Sequence, residues 1–184
     1  MTETAVATRV DDDGLVERAR AGETAALDAL VSRHHEAVYQ VAYRVLGDPD
    51  AAADAAQDAF VKAIRGLPGF RGDASFRTWL LRIAANVATS AGRRTTRRAE
   101  VALDAAPQQA GGLADPERRA LTRTEAARVE RALAELPEKQ RLAVSLRIHE
   151  DLSHREIGAI IGSSEGAARV NYHLGIKRLR ELLT

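Results

Sequence analysis

Apolar residues recur every three or four positions along most of this chain, and this helical spacing constrains the fold more than any other feature. No stretch alternates in the manner of a β-strand for longer than chance would give. The chain is also rich in alanine, which has the highest helix propensity of all residues. The pattern therefore predicts an all-α protein. In the first predicted helix, the apolar positions are Leu27, Leu30, Val31, Val38, Val41, Ala42, Val45 and Leu46.

Capping and breaking residues divide the helical pattern into segments. Gly47 suits a helix C-terminus, Asp48 an N-cap and Pro49 a first turn, so one helix should end near residue 46 and another begin near residue 49. A third should begin near Ser75 and fade after Gly92. We expect an N-terminal tail (1–13), a helical domain (14–98), a flexible linker with two prolines and a Gly-Gly pair (99–116), and a second helical domain (117–184).

Composition excludes several classes of protein. The 184 residues include no cysteine and only five scattered histidines, so we expect no disulfide, no metal site and no cofactor. No run of about 18 apolar residues is present and the N-terminus does not resemble a secretory signal, which favours a cytoplasmic protein without membrane insertion. The segment "GFRGDAS" lacks the Lys-Ser/Thr of a phosphate-binding loop, and no nucleophile–base pair is evident by spacing.

Aromatic residues are scarce, yet four of the seven lie between residues 60 and 79, among arginines. One interpretation is that Phe60, Phe76 and Trp79 fill a small core. The other is that rings and cations together hold single-stranded nucleic acid, with bases against the aromatic walls and arginines on the phosphates. Phe70 lies in a glycine-containing loop where a core does not require an aromatic, and Trp79 falls outside the main apolar stripe. Both placements favour the second interpretation.

The C-terminal segment "LSHREIGAIIGSSEGAARVNYHLGIKRLRELL" has the layout of a helix-turn-helix. Ser153 and Glu156 form a potential capping box, Gly162 ends the first helix, and Ser164 can cap the second. The second helix carries cations on the side opposite its apolar stripe, which suits contact with a DNA major groove. The alternative is a helical hairpin whose basic face is only solvated.

An acidic stripe is formed by Asp50, Asp54 and Asp58, four residues apart on one predicted helix. Such a stripe is commonly solvated. A carboxylate metal centre would need Glu-x-x-His pairs on facing helices, and the sequence has none.

Two long segments together resemble bacterial sigma factors of the extracytoplasmic-function (ECF) group. They are "DPDAAADAAQDAFVKAIRGLPGFRGDASFRTWLLRIAANVATSAGRR" and "LPEKQRLAVSLRIHEDLSHREIGAIIGSSEGAARVNYHLGIKRLRELL", and the resemblance covers about residues 14–94 and 117–183. It implies two small helical domains, sigma domain 2 and the helix-turn-helix sigma domain 4. It also implies a protein that binds core RNA polymerase through the beta-prime clamp and beta flap, directs it to promoter DNA, and is held inactive by an anti-sigma factor.

The resemblance assigns three sets of residues. The polymerase-binding set is Asp54, Gln57, Asp58 and Phe60. The minus-ten set, which would bind and open promoter DNA, is Phe70, Arg71, Arg77, Thr78, Trp79, Arg82, Asn86, Arg93 and Arg94. The minus-thirty-five set is Ser164, Glu165, Arg169, Asn171, His173, Lys177 and Arg178.

The chain departs from the family pattern at several of these segments. Ala55-Ala56 replaces a usual Leu-Thr, and Ala85 replaces a usual arginine. In the last helix, Asn171, Leu174 and Ile176 stand at positions that are usually basic. The resemblance therefore does not identify the promoter sequence.

Two other functions are compatible with parts of the sequence. A stand-alone helix-turn-helix regulator would bind duplex DNA without contacting polymerase, and would have no use for an acidic docking helix. An all-helical enzyme with a carboxylate site would need metal-dependent turnover. The sequence favours the sigma factor and no enzymatic activity.

Overall fold

The computed structural model describes residues 3–103 and 125–184, and within them it contains α-helices and no strand. The all-α prediction is confirmed. The helices are α1 (Glu3–Arg20), α2 (Thr24–Leu46), α3 (Pro49–Gly66), α4 (Phe76–Leu103), α5 (Glu125–Ala134), α6 (Glu138–His149), α7 (His154–Ile161) and α8 (Glu165–Leu183), with a short 3₁₀ turn at Leu67–Gly69. Residues 104–116 of the predicted linker and the first residues of the second domain lie outside the described residues.

Helix boundaries lie where the capping residues predict them. Gly47 adopts a left-handed conformation with φ 68° and donates its N–H to the Tyr43 carbonyl, ending α2. The Asp48 carboxylate accepts a hydrogen bond of 2.8 Å from the Ala51 N–H, starting α3. Ser153 and Glu156 form the predicted capping box at α7. These local bonds satisfy backbone groups that helix ends would otherwise leave unpaired.

Two boundaries differ from the prediction. Residues 3–13, expected as a tail, belong to α1, which packs on the rest of the bundle through Leu15 and Val16. Helix α4 does not fade after Gly92 but continues to Leu103. One glycine costs a helix about 1 kcal/mol, and no proline follows until residue 107, so the long arginine- and alanine-rich segment remains helical.

Helices α1–α4 form an N-terminal unit around a common core that includes Leu30, Val38, Leu80 and Leu81, all fully buried. Helix α3 contributes mainly alanines to this core. Ala55-Ala56, the departure from the family pattern, is buried there, and its small side chains suit a close helix contact. Ala85 is also buried, so that position faces the core and not solvent.

Helices α5–α8 form a C-terminal unit in which glycines set two close approaches. A Cβ atom at Gly175 would lie 2.6 Å from Val144 Cγ2, so this glycine lets α8 pack tightly on α6. A Cβ atom at Gly158 would lie 2.9 Å from the Ser163 carbonyl oxygen, so this glycine accommodates the turn between α7 and α8.

The two units pack against each other, α7 on α4 and α6 on α2. A continuous cluster of buried apolar residues crosses between the units, and Leu142, Leu146, Ile157 and Ile160 join it from the C-terminal unit. A second, smaller cluster lies within the C-terminal unit and includes Leu136, Val144 and Leu179. Polar contacts cross the same interface: Thr89 Oγ1 donates to Glu138 Oε1 at 2.9 Å, and Arg44 forms an ion pair with Glu130. We call this arrangement the closed form.

Candidate functional site

Helix α3 presents an acidic and apolar face to solvent. Asp54, Gln57 and Asp58 are exposed, as predicted for a docking surface. Val61 and Ile64, 39% and 40% exposed, continue the same face, and the polymerase-binding set predicted from the sequence did not include them. Phe60 points the other way, with its ring stacked on His35 at a centroid distance of 6.3 Å. It supports the helix from inside and does not add to the exposed face.

Three aromatic rings close the end of the N-terminal core. The Phe70 ring centroid lies 5.1 Å from that of Trp79 and 6.0 Å from that of Phe76. Phe70 is only 8% exposed. The expectation that the core does not need this loop aromatic was wrong, because the loop folds back and buries the ring. Trp79 is half-buried, with its indole close to Gly66, and so combines a core contact with a partly exposed surface.

Most cations of the minus-ten set are accessible. Arg71 lies in the loop with its side chain 83% exposed, and it pairs with Asp73 at 3.2 Å. Arg82, Asn86 and Arg93 are exposed at spacings of four and seven residues, so they share one face of α4, and Arg94 is exposed beside them. Such a row of cations next to partly exposed aromatic surface matches what single-stranded nucleic acid requires.

Arg77 and Thr78 are covered by the C-terminal unit in the closed form. Arg77 forms an ion pair with the Glu150 carboxylate and donates a second bond of 3.1 Å to the Glu150 carbonyl. Thr78 is 2% exposed, and its hydroxyl donates to Glu156 Oε1 at 3.4 Å. The structure thus separates the minus-ten set into an accessible majority, a pair held against α7 and the segment before it, and Phe70, which is buried in the core of the N-terminal unit.

A groove of about 1410 Å³ lies between the loop at residues 69–75 and α7. Its lining includes Arg33, Arg82 and Arg155, together with Trp79. The acidic side chains of Glu36 and Asp73 also line it, so the groove is mixed in charge.

A buried ion-pair cluster lies beside this groove and connects α1 to α2. Asp12 is 4% exposed, with its carboxylate 2.8 Å from His34 Nε2 and 2.7 Å from an Arg33 nitrogen. Burial alone would raise the pKa of the Asp12 carboxyl, but the hydrogen bonds and charges of His34 and Arg33 outweigh it, so the pKa is lowered. The His34 ring lies 5.5 Å from that of Phe76, so the cluster supports the aromatic end of the core. The sequence did not reveal it, because Asp12 was predicted to lie in a tail.

Replacing Asp12 with asparagine should lower the free energy of unfolding at pH 7 by about 2–3 kcal/mol, since a buried charged acceptor is lost. A carboxyl with a lowered folded-state pKa stabilises the fold above its unfolded pKa, and this contribution is lost as pH falls through the folded value. The difference between wild type and Asp12→Asn should therefore shrink below about pH 4. Denaturant unfolding at several pH values measures this difference in the free energy of unfolding.

Asp13→Asn, at an exposed neighbour, is the control and should change stability by less than about 0.5 kcal/mol. A gap of equal size at pH 3 would contradict the assigned ion pair.

Helix α7, the turn at 162–164 and helix α8 form the predicted helix-turn-helix. Gly162 adopts φ 64°, and the Ser163 N–H donates to the Gly158 carbonyl at 2.8 Å. The Ser164 hydroxyl accepts from the Ala167 N–H at 3.2 Å and begins α8. These bonds fix how α8 leaves α7, which determines how it can enter a groove.

The outer face of α8 carries most of the minus-thirty-five set. The exposed members are Ser164, Glu165, Arg169, His173, Lys177 and Arg178. Asn171 is half-buried, and its amide donates a bond of 2.8 Å to the Ala167 carbonyl of its own helix. Six of the seven residues in this predicted set are therefore exposed, and Asn171 is not.

Three rings meet where α7 approaches α8. His154 lies 5.5 Å from the Tyr172 ring and 6.4 Å from the His173 ring. Burial lowers the pKa of the His154 imidazole, and the positive charges of Arg147 and Arg169 lower it further. Both effects favour the neutral form of the ring.

Residues 3–103 and 125–184 offer neither a metal site nor a membrane-spanning helix. Within these ranges, no group of three histidine, aspartate or glutamate residues is placed to hold a metal ion. None of the helices described there has the length and apolar character that crossing a bilayer requires.

Comparison with known proteins identifies the family. Sigma-70 region 2 matches residues 30–98, and sigma-70 region 4 matches residues 126–179. The ECF RNA polymerase sigma-E factor of Escherichia coli K12 is 36% identical over 169 residues, which are 88% of each chain.

Two solved structures have a similar fold. CnrH, in complex with the cytosolic domain of CnrY, is 27% identical and has a TM-score of 0.71, with 94% of this chain and 97% of that chain covered. The sigma factor RpoE of Bartonella quintana, in complex with the anti-sigma factor NepR, is 22% identical with a TM-score of 0.69 over 85% of this chain and 95% of that one, and supports the fold alone. The chain therefore belongs to the ECF group of the sigma-70 family and is an alternative sigma factor that directs transcription initiation.

Proposed function

We propose that three surfaces of the chain have separate roles in transcription initiation. The α3 face, with Asp54, Gln57, Asp58, Val61 and Ile64, docks on the beta-prime clamp of core polymerase. The loop at 70–75 and the outer side of α4 hold the minus-ten strand. The outer side of α8 reads the minus-thirty-five element, while the rest of the C-terminal unit meets the beta flap. The observation that supports this division is that the accessible members of the three predicted sets lie on three different parts of the chain: α3, the loop at 70–75 with α4, and α8 with its N-cap.

Strand capture rests on Trp79 and the cations around it. The half-exposed indole offers a surface for an unstacked base, and Phe70 and Phe76 hold that indole in place from behind. Base–aromatic contacts contribute about 1–3 kcal/mol each, comparable to the cost of unstacking a base, so the strand can be held without ATP. Arg71, Arg82 and Arg93 are placed to neutralise its phosphates. The chain performs no chemical step in this scheme.

The closed form must open before both promoter elements are bound. The elements lie roughly 25 base pairs apart, or about 85 Å at 3.4 Å per pair. A compact chain of 184 residues has a radius of gyration of only about 16 Å. Arg77 and Thr78 are also covered until α7 moves away from α4. Binding to polymerase therefore separates the two units and uncovers Arg77 and Thr78 of the minus-ten set.

The Arg77–Glu150 ion pair offers a test of this opening. Glu150→Arg places two like charges at the interface and should increase the hydrodynamic radius of the free chain, measured by analytical ultracentrifugation. It should also lower the concentration of chain needed for half-maximal transcription, because less free energy is used to open it. Glu135→Arg, at an exposed glutamate of the same unit, is the control and should behave as wild type. Equal radii for the two variants would show that the pair does not maintain the closed form.

We further propose that the chain acts in the cytoplasm, associates with the nucleoid when active, and is held inactive by an anti-sigma factor. Two of the solved relatives are complexes with a second protein, one of which is an anti-sigma factor. The groove between the loop at 69–75 and α7 is the surface that such a partner would fill while keeping the α4 cations from DNA.

The decisive experiment is transcription in vitro from genomic fragments by purified core polymerase, with and without the chain. New transcripts that require the chain, initiated at a shared promoter class, are expected. Binding to duplex operators with no effect on core polymerase would instead support a stand-alone helix-turn-helix regulator. Promoter affinity should fall as salt rises, because phosphate contacts release counterions.

A further inference from the structure

Val170 stands at the centre of the outer face of α8. Gly166, Val170, His173 and Lys177 follow one another at spacings of four, three and four residues, so they form one line along the helix. The buried residues of α8, Ala168, Gly175 and Leu179, lie on the opposite side. Val170 is 56% exposed and Leu174, one turn further, is 48% exposed. An apolar side chain thus occupies the middle of a face that also carries His173 and Lys177.

Packing within the chain does not account for this placement. Val170 remains exposed in the closed form, in which the two units already cover each other's apolar surfaces. Asn171, the polar neighbour that was predicted to contact DNA, donates to its own helix and is half-buried. Val170 is therefore more accessible from outside than Asn171, one of the seven residues of the predicted minus-thirty-five set.

Gly166 adds a second observation. A Cβ atom there would meet nothing within 4 Å, so contacts inside the chain do not require glycine. Glycine in a helix costs about 1 kcal/mol relative to alanine. Its absence of a side chain, one turn before Val170, leaves the helix backbone free to approach an external surface closely.

We propose that Val170 contacts the 5-methyl group of a thymine in the major groove of the minus-thirty-five element and makes this chain select thymine there. The proposal rests on the assignment of α8 as the reader of that element. In the major groove, thymine is the base that presents a methyl group, and apolar side chains are its partners. Val170 is the sixth residue of α8, within the part of a recognition helix that reaches base edges. Arg169, His173 and Lys177 on either side match the phosphates that border the groove.

The test uses holoenzyme assembled from core polymerase and the full chain. Templates with a randomised upstream element are selected by transcription, and the wild-type chain should enrich thymine at one position. Replacing that thymine with deoxyuridine removes only the methyl group and should reduce the initiation rate about fourfold, the value expected for one buried methyl. With Val170→Ala, thymine and deoxyuridine templates should be transcribed equally. Leu174→Ala removes a similar exposed apolar side chain one turn further along and should retain the wild-type response.

Three results would overturn the proposal: no enriched thymine, no deoxyuridine effect with the wild-type chain, or the same effect with Val170→Ala. The last is expected if Val170 serves a protein partner. Failure of the proposed function would give a different result. In that case the selection step would yield no template whose transcription depends on the chain.

Discussion

Reversing the charge of both Asp54 and Asp58, by replacing each with arginine, is expected to weaken the binding of this chain to core RNA polymerase about a hundredfold. Both side chains are exposed on α3, so the change should leave the fold intact. At a docked interface, however, each new cation would lie where the partner surface is complementary to a carboxylate, and misplaced like charges cost several kcal/mol. Titration of labelled chain with core polymerase, followed by fluorescence anisotropy, measures the affinity.

The control is a double variant with the same change in net charge elsewhere, Asp28→Arg with Glu135→Arg. Both residues are exposed and lie outside the three proposed faces. This variant should bind core polymerase within about threefold of wild type at physiological salt, because exposed charges act only over about 8 Å there. If both double variants lose affinity equally, the loss reflects overall charge and α3 is not the docking surface.

Val61 and Ile64 give the α3 face a second component that the acidic pattern did not reveal. Charges at the rim of an interface mainly influence association rate and salt dependence, whereas apolar side chains in its centre determine how long a complex persists. The combination on one helix, with Phe60 turned inward, suits an interface that forms quickly and is then held by apolar contacts.

The helix ends that the sequence predicted correctly depend on interactions between residues close together in the chain. The ends of α2, α3, α7 and α8 are determined by Gly47, Asp48, Ser153 and Ser164, each acting on backbone groups within a few positions. Such signals can be recognised from the printed sequence because the bonding partners are three or four residues away. The resemblance to the ECF group depended on the order and spacing of longer segments, which can also be recognised from the printed sequence.

The features that the sequence did not predict depend on contacts between residues far apart in the chain. Asp12 becomes buried only because α1 packs beside His34, 22 positions later. Phe70 becomes a core residue only because its loop folds back over Phe76. The closed form, in which Glu150 pairs with Arg77, joins residues 73 positions apart. The spacing of apolar residues along one helix does not indicate which other helix will pack against that helix.

The second large effect is expected from Gly158→Ala, which should destabilise the C-terminal unit by about 2–3 kcal/mol. The added Cβ atom would lie 2.9 Å from the Ser163 carbonyl oxygen and 3.1 Å from the Ser164 carbonyl. These are backbone atoms of the turn that sets the direction of α8, so they cannot move without altering the helix-turn-helix. Overpacking of this kind costs about 1–3 kcal/mol. For a chain of this size, the melting temperature should fall by about 5–10 °C, measured by circular dichroism.

Gly166→Ala is the matched control, since it makes the same change in the same unit where nothing lies within 4 Å. It should leave stability unchanged or raise it by up to about 1 kcal/mol, because alanine favours the helix. Opposite signs for the two glycines would separate their roles: Gly158 accommodates the turn, whereas Gly166 leaves the outer face of α8 open to DNA. If Gly158→Ala melts at the wild-type temperature, the turn tolerates a side chain, and the direction in which α8 leaves α7 is set by something other than this contact.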